Sequence, residues 1–215
     1  MSLNDVWRNI NQEIGIFWKG RWSDVPGGPG VYAWLYPLRI STYDLGDFLE
    51  DIAKVLSFDA RSNGLASRAL RARLTWEEIT VKLRVGPSPP NIPQDISAAW
   101  SKLVADPGNF ERLRRVVMRG SLLMPPLYVG KTRSLSVRCH QHLSGTGNND
   151  FHKRFQEFAQ RVGLRSAEVN DLLFACIRTG SDSLSAGDAA GEDEAIEGIV
   201  EEILKRACRP RYSVK

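Results

Sequence analysis

The 215-residue sequence is poor in cysteine and has no long apolar runs. Its three cysteines, Cys139, Cys176 and Cys208, are widely spaced and include no C-x-x-C pair, which argues against a disulfide framework and a structural zinc site. No apolar run approaches the roughly 20 residues of a membrane span. The first eight residues lack the basic-then-apolar order of a secretory signal. We therefore expect a cytoplasmic protein with no membrane partner.

The chain is mildly basic, with a formal charge of +4 and a pI near 9.1. This total is weak evidence for a polyanionic partner. Arginines cluster within residues 61–73, 112–119 and 206–211. Each cluster taken alone is more simply the solvated face of a helix.

The first 39 residues predict a helix followed by a strand. Apolar residues recur at spacings of four, four and three from Val6 to Phe17, which predicts an amphipathic helix over Leu3–Phe17. The Pro-Gly-rich run at Pro26–Gly30 ends this part. Val31–Tyr36, rich in aromatic and β-branched residues, predicts a strand.

Residues 40–122 predict a mostly helical insertion. An apolar stripe from Leu45 to Leu56 predicts a helix that Asp44 caps, and Ile96–Val104 and Phe110–Met118 are also helical in pattern. Thr80–Leu83 fits a helix or a strand.

Residues 123–215 predict two strands and three helices. The strands are Leu127–Val129, ended by Gly130, and the apolar run Asp171–Ile177. Two of the helices cover Ser134–His142 and the stretch from Phe151 to Val162. In the last helix, six apolar residues share one face: Ile196, Ile199, Val200, Ile203, Leu204 and Ala207. Together with the first strand, this predicts an α+β fold with a small antiparallel sheet flanked by helices.

Two predicted strands each carry a tyrosine, in Gly30-Val31-Tyr32 and in Tyr128-Val129-Gly130. Either tyrosine alone is an ordinary strand aromatic. Arg138 follows Tyr128 by ten residues and His142 follows by four more, so the two share a helix face. In this order the residues resemble the GIY-YIG nuclease family over about residues 29–36 and 126–215.

The resemblance assigns further positions. Lys131 and Leu135 complete the Y-I-G-K…L…R pattern, and the register counted back from Pro210 places the family's glutamate on Glu201. Glu194, Glu197 and Glu202 remain alternatives as solvated helix residues, and Lys131 fits an exposed turn equally well. The sequence departs from the family in two ways. Roughly ninety residues separate the tyrosine strands, and Ser213 stands at the family's asparagine.

The resemblance implies a metal-dependent DNA endonuclease. Glu201 would hold Mg²⁺ or Mn²⁺, and the planar fork of Arg138 suits a phosphate. Tyr32 would be the general base, which requires a nearby cation because a free phenol has a pKa near 10. Lys131, Arg138 or the metal would supply that charge. Tyr128, His142 and Ser213 would be positioning groups.

Within the family that the residues resemble, a chain of this size with a large insertion suggests a restriction-type enzyme that acts on double-stranded DNA. The resemblance then implies a homodimer, since the two-fold symmetry of DNA calls for two active sites. We expect the predicted insertion to grip the duplex through its arginines, which are Arg68, Arg71, Arg73, Arg112 and Arg115. Two alternatives remain open. One is a structure-specific repair or mobile-element nuclease, and the other is a catalytically inactive DNA-binding protein with the same fold.

Overall fold

A computed structural model describes residues 14–57, 69–74, 77–82, 92–146, 150–162, 164, 168–179, 189–208 and 210. For residues 69–74 and 77–82 it describes the backbone alone. In chain order the elements are β1 (Ile14–Phe17), β2 (Gly30–Leu35), α1 (Leu45–Ser57), β3 (Ala69–Leu74), β4 (Glu77–Lys82), α2 (Gln94–Val104), α3 (Pro107–Gly120), β5 (Tyr128–Thr132), α4 (Leu135–Ser144), α5 (Asp150–Val162), β6 (Leu173–Arg178) and α6 (Ala189–Cys208).

Four of the strands form one antiparallel sheet in the order β1-β6-β2-β5. The two central strands are apolar: β2 is almost wholly buried, and β6 is buried at Leu173, Phe174 and Cys176. The predicted α+β class with a small antiparallel sheet and flanking helices is therefore confirmed. No helix in the described ranges is both long enough and apolar enough to cross a bilayer.

Strand alternation divides the side chains between two faces of this sheet. Tyr32 is paired with Gly130 on β5 and with Cys176 on β6. One face, the tyrosine face, carries Tyr32, Trp34, Tyr128, Phe174 and Cys176. The other, the lysine face, carries Val31, Val129, Lys131 and Ile177.

The helices cover both faces. The buried residues of α4 and α5, such as Leu135 and Phe155, pack on the tyrosine face and form the main core with it. Helix α6 contacts β5 and β2. A Cβ placed on Gly198 of α6 would lie 3.4 Å from the Lys131 Nζ, so α6 lies on the lysine face.

The segment between β2 and β5 holds three helices and a hairpin. Asp44 Oδ1 accepts from the Asp47 amide at 2.9 Å, which confirms the predicted cap of α1. The hairpin β3–β4 resolves the ambiguity at Thr80–Leu83, because residues 80–82 belong to a strand. The insertion is thus helical with one hairpin in its described part, and its status as a separate domain stays a prediction.

The N-terminal prediction was wrong where the structure tests it. Ile14–Phe17 is a strand that pairs with Phe174–Ile177, although the spacing of its apolar residues fits a helix. The apolar β6 would otherwise be an open sheet edge, and pairing satisfies its backbone groups. Tertiary pairing therefore overrides the helical period here. The rest of the predicted helix lies outside the described residues.

Candidate active site

A tyrosine pair lies at the centre of the tyrosine face. The rings of Tyr32 and Tyr128 are stacked, with centroids 5.9 Å apart and planes inclined by 27°. Gly130 makes this packing fit, since a Cβ there would lie 2.6 Å from the Tyr32 hydroxyl oxygen and 2.8 Å from the Tyr128 ring. The glycine of the Y-V-G pattern is therefore required by the close approach of the Tyr32 phenol.

The turn before β2 fixes helix α4 across these tyrosines. The carbonyl of Gly28 accepts from the Leu135 amide at 2.9 Å, and that of Pro26 accepts from the Ser136 amide at 3.0 Å. These bonds satisfy amides that have no partner within the helix. Gly28 has φ +86°, a backbone conformation that favours glycine. The Pro-Gly-rich run thus positions α4 as well as ending the preceding segment.

Two α4 side chains meet the Tyr32 hydroxyl. The Nε–H of Arg138 donates to it at 3.2 Å, and the His142 Nε2 lies 3.2 Å from the same oxygen. The Tyr32 hydroxyl oxygen accepts from Arg138, and in its hydrogen bond with His142 the donor is set by the tautomer of the imidazole. The Nδ1 has no hydrogen-bond partner within the described structure.

Burial separates the members of this cluster. His142 is fully buried and Tyr32 is 2% exposed, whereas Tyr128 and Arg138 are partly open to solvent. Arg138 also donates from Nη1 to Gln141 at 3.1 Å. Because Tyr32 and His142, here called the inner pair, are covered, a ligand that reaches this face would contact Tyr128 and the Arg138 guanidinium first.

The protonation of the inner pair follows from its surroundings. Burial, together with the charges of Arg138 and His152, lowers the pKa of His142 to about 3. Burial and the neighbouring Tyr128 raise the pKa of Tyr32 well above its usual value, and Arg138 offsets only part of this. At neutral pH the phenol keeps its proton and the imidazole is neutral. Tyr32 is therefore a poor proton acceptor in this state.

Lys131 does not contact this cluster. It lies on the lysine face, is exposed, and extends towards Gly198 of α6. Of the two side-chain cations predicted to stabilise a Tyr32 phenolate, the structure therefore places Arg138, and not Lys131, beside the hydroxyl.

Glu201 lies on α6 and forms an ion pair with Lys205 at 2.9 Å. Three contacts give the direction of the helix: Glu194 with Arg133, Glu197 with Thr179, and Gly198 with Lys131. Helix α6 thus runs antiparallel to β5, and Glu201 lies one turn beyond Glu197, towards the Tyr128 end of the strand. Within the described structure, no hydrogen bond links Glu201 to either tyrosine or to Arg138.

Glu197 is a feature that the sequence reasoning missed. It was expected to be a solvated helix residue, yet it is 3% exposed and accepts from the Thr179 hydroxyl at 2.9 Å. Its position four residues before Glu201 puts both carboxylates on the inward side of α6. The i, i+4 spacing of Glu197 and Glu201 is the sequence feature that could have predicted the inward position of Glu197.

The donor set on α6 fits Mg²⁺ or Mn²⁺. Carboxylate oxygens suit these hard cations, which keep several waters and need only one or two protein ligands. Glu201 is 17% exposed at the side chain and can be reached by an ion. Across the described ranges, no group of three or more histidine, cysteine, aspartate or glutamate side chains gathers around one point. A cage made wholly of protein ligands is therefore not present there.

The predicted DNA-binding arginines are only partly described. Arg112 and Arg115 are exposed on α3 and share a face with Arg119. None of these three forms an ion pair with a described residue. Arg71 and Arg73 belong to β3, where the structure describes the backbone only. Arg68 and Ser213 lie outside the described residues.

Comparisons with models of known families, with curated proteins and with solved structures find no match.

Proposed function

We propose that this chain is a metal-dependent DNA endonuclease with GIY-YIG-type chemistry, acting in the cytoplasm as a restriction-type enzyme. One observation carries the proposal. Tyr32 is more than a hundred residues from Arg138 and His142 in the chain, yet its hydroxyl hydrogen-bonds to both, and the Tyr128 ring stacks on it. The three cysteines are unpaired, as expected in a reducing compartment.

Arg138 is the group that binds the scissile phosphate in this proposal. Its guanidinium is held by Tyr32 and Gln141 and still reaches solvent. A planar fork fixed in this way matches two phosphoryl oxygens and stabilises the negative charge that grows on them during attack. Tyr32 and His142 act behind Arg138 as positioning residues.

Tyr128 is the tyrosine that faces the substrate. Its hydroxyl is the one that can contact the attacking water or a phosphoryl oxygen, because Tyr32 is covered. The resemblance assigned the base role to Tyr32, but its burial and raised pKa argue against proton removal there. We therefore favour Tyr128 at the reacting atoms.

Glu201 would hold the divalent ion, with Glu197 one turn away on the same side of α6. The ion, when bound, would supply positive charge and lower the pKa of bound water. Arg138 lies on the tyrosine face and α6 on the lysine face, so the ion and Arg138 could act on one phosphate only at the outer edge of β5, the last strand of the described sheet. Lys205 neutralises Glu201 in its absence. Lys131 lies on the same side of the sheet and adds a positive charge beside this helix.

Double-stranded DNA is the proposed substrate. The arginine face of α3, made of Arg112, Arg115 and Arg119, is exposed and free of described acidic partners. Such a face suits contacts with successive phosphates, which fix a protein on a duplex without reading its sequence.

Cleavage of plasmid DNA by purified protein with Mg²⁺ or Mn²⁺ tests the proposal. We expect discrete fragments, and we expect Glu201→Gln to reduce cutting to the level without metal while DNA affinity is retained. Glu202→Gln is the matched control, since it changes the next carboxylate, which pairs with Arg206 instead. Cleavage by Glu201→Gln at the wild-type rate would overturn the Glu201 assignment.

The same assay separates the alternative functions. Preference for branched or nicked substrates over intact plasmid would indicate a repair or mobile-element nuclease. DNA binding without cleavage of any of these substrates, with either metal, would indicate an inactive DNA-binding protein.

A further inference from the structure

Two leucines that follow helix α3 are exposed to solvent. The helix leads directly into a single 3-10 turn, Ser121–Leu123. Leu123 is 90% exposed and Leu122 is 46% exposed, and the two are here called the leucine tip. Ser121, between the helix and the tip, is fully buried, and its hydroxyl accepts from the Leu38 amide at 2.8 Å. The tip therefore cannot turn inward without breaking this anchor.

The arginine face of α3 leads to the leucine tip. Its three arginines and the tip follow one another at spacings of three or four residues, which places them along one side of the helix. The opposite side is half-buried at Phe110, Leu113 and Val117. Glu111 is the one acidic residue of α3, and it pairs with Arg114 at 3.6 Å. Positive charge that no described acidic residue pairs with thus extends up to the tip.

Two hydrogen bonds fix this part of the chain beside the candidate active site. The anchor at Leu38 lies three residues after β2, and the Leu127 amide donates to the Trp34 carbonyl of β2 at 2.7 Å. The leucine tip and the start of β5 are therefore both tied to the same end of β2. Leu123 precedes Tyr128 by five residues, so their Cα atoms are at most about 18 Å apart. That distance corresponds to roughly five base pairs along a duplex.

The arrangement of charged and apolar side chains favours a duplex over a lipid surface. A helix that lies on a bilayer turns an apolar stripe towards the acyl chains. Arginines instead occupy the outward side of α3, where Val116 is the one large apolar residue exposed among them. A duplex offers phosphates to such a row of arginines. Its minor groove, about 6 Å wide, is too narrow for a helix but admits a side chain at the end of one.

We propose that Leu123 is a wedge that enters a base step through the minor groove and kinks the duplex held by the arginine face. Leucine is one of the apolar side chains that unstack base steps in this way. The proposal rests on the proposed nuclease function and adds a property of its substrate. Pyrimidine–purine steps such as TA unstack at low cost, so the wedge favours such a step within roughly five base pairs of the scissile phosphate.

The fluorescence of 2-aminopurine in bound DNA tests the wedge, because this base is brighter when it is unstacked. The probes are short duplexes that each carry 2-aminopurine at one TA step, mixed with the full chain at low salt in EDTA so that no metal-dependent cleavage occurs. We expect the fluorescence to rise with the wild type and with Leu123→Phe, which keeps a large apolar side chain. With Leu123→Ala it should stay at the level of the free duplex. Ile96→Ala, at a 51% exposed position on α2, is the matched control and should behave as the wild type.

Anisotropy of an end label shows whether each duplex is bound. Saturated binding by the wild type with no rise at any TA step would overturn the wedge and leave the nuclease proposal standing. Failure to bind any of the duplexes would overturn the wedge too, and the plasmid assay would then decide the nuclease proposal separately. Binding of phosphatidylserine vesicles in place of DNA, lost in Leu123→Ala, would assign the leucine tip to a lipid surface and refute the wedge.

The salt dependence of duplex binding tests the arginine face. Arg119→Gln should reduce the slope of log affinity against log salt concentration by about 1, as expected for the loss of one phosphate contact. Arg114→Gln is the matched control, since Arg114 pairs with Glu111 and should leave the slope nearly unchanged. An unchanged slope in Arg119→Gln would show that the arginine face does not lie along the phosphates, and would overturn the placement of the wedge.

Discussion

Different interactions hold the helices on the two faces of the sheet. On the tyrosine face, α4 packs its buried residues conventionally, and the polar groups already bond to one another around the Tyr32 hydroxyl. On the lysine face, α6 turns Glu197 and Glu201 inward and its isoleucines outward. On the first face the Tyr32 hydroxyl is already hydrogen-bonded without any ligand, although the buried Trp34 Nε1 and His142 Nδ1 have no partner in the described structure. The second contains acids whose charge a bound cation would offset.

This difference indicates which effects we expect from substitutions on each face. Because the hydrogen-bond donors on the tyrosine face are already aligned, little free energy is needed to align them when substrate binds. A carboxylate paired with a lysine on its own helix, as Glu201 is with Lys205, can exchange that partner for an ion. We therefore expect substitutions on the tyrosine face to affect geometry, and those on α6 to affect the metal dependence of cleavage.

The largest effect is expected at Arg138. Arg138→Lys keeps the charge but loses the planar fork that bonds to both Tyr32 and Gln141. We expect cleavage at saturating Mg²⁺ to fall by about 10²- to 10³-fold, as for loss of one preorganised donor. Single-turnover cleavage rates measure this.

Arg133→Lys is the control for that change. Arg133 is exposed and pairs with Glu194 on the other side of the sheet, so its replacement should change the rate little. Equal losses in the two variants would show that general positive charge, and not the held guanidinium, determines activity.

The next effect concerns how tightly each face is packed. Gly130→Ala on the tyrosine face puts a Cβ 2.6 Å from the Tyr32 hydroxyl, which forces the ring to move. We expect a loss of about 1–3 kcal/mol in the free energy of unfolding, typical of overpacking. Gly198→Ala on α6 meets only the flexible end of Lys131, at 3.4 Å. It should stabilise the helix by up to about 1 kcal/mol.

Urea unfolding of the two glycine variants measures both changes. A lower free energy of unfolding in Gly130→Ala and a higher one in Gly198→Ala would support the contrast between a tightly packed tyrosine face and a more tolerant lysine face. A Gly130→Ala protein as stable as the wild type would show that the Tyr32 phenol has room to move, and would weaken its role in holding Arg138.

The sequence contained enough to predict the tyrosine face. Short runs rich in aromatic, β-branched and other apolar residues identified β2, β5 and β6. The i, i+4 spacing of Arg138 and His142 correctly placed them on one side of a helix. These features depend on local periodicity and on one strand pairing. The tyrosine-to-arginine spacing added the distance needed for α4 to fold back along β5.

The orientation of α6 could not be predicted in the same way. Periodicity identifies the apolar side of a helix but does not show whether that side faces the core or a partner. Here the rotation is set by contacts with Thr179 and Lys131, which come from other elements. The same limit applies to Ile14–Phe17, whose strand conformation depends on the open edge of β6. Long-range contacts determined both outcomes.

The last effect is a pH dependence at His142, which is absent at neutral pH and grows as the pH falls. Its pKa is about 3 in the folded protein, against about 6.5 when unfolded, so the unfolded state binds an extra proton between these values. Stability from this group is present above about pH 6.5 and is lost as the pH falls, by about 1.4 kcal/mol per pH unit.

His142→Gln cannot take up this proton and should remove the corresponding part of the slope of the free energy of unfolding against pH. Urea unfolding at pH 7, 6 and 5 measures it, with His140→Gln, an exposed position on the same helix, as control. Identical slopes in wild type and His142→Gln would mean that His142 binds its proton equally in the folded and unfolded states, and the buried imidazolium would then donate from Nε2 to the Tyr32 hydroxyl.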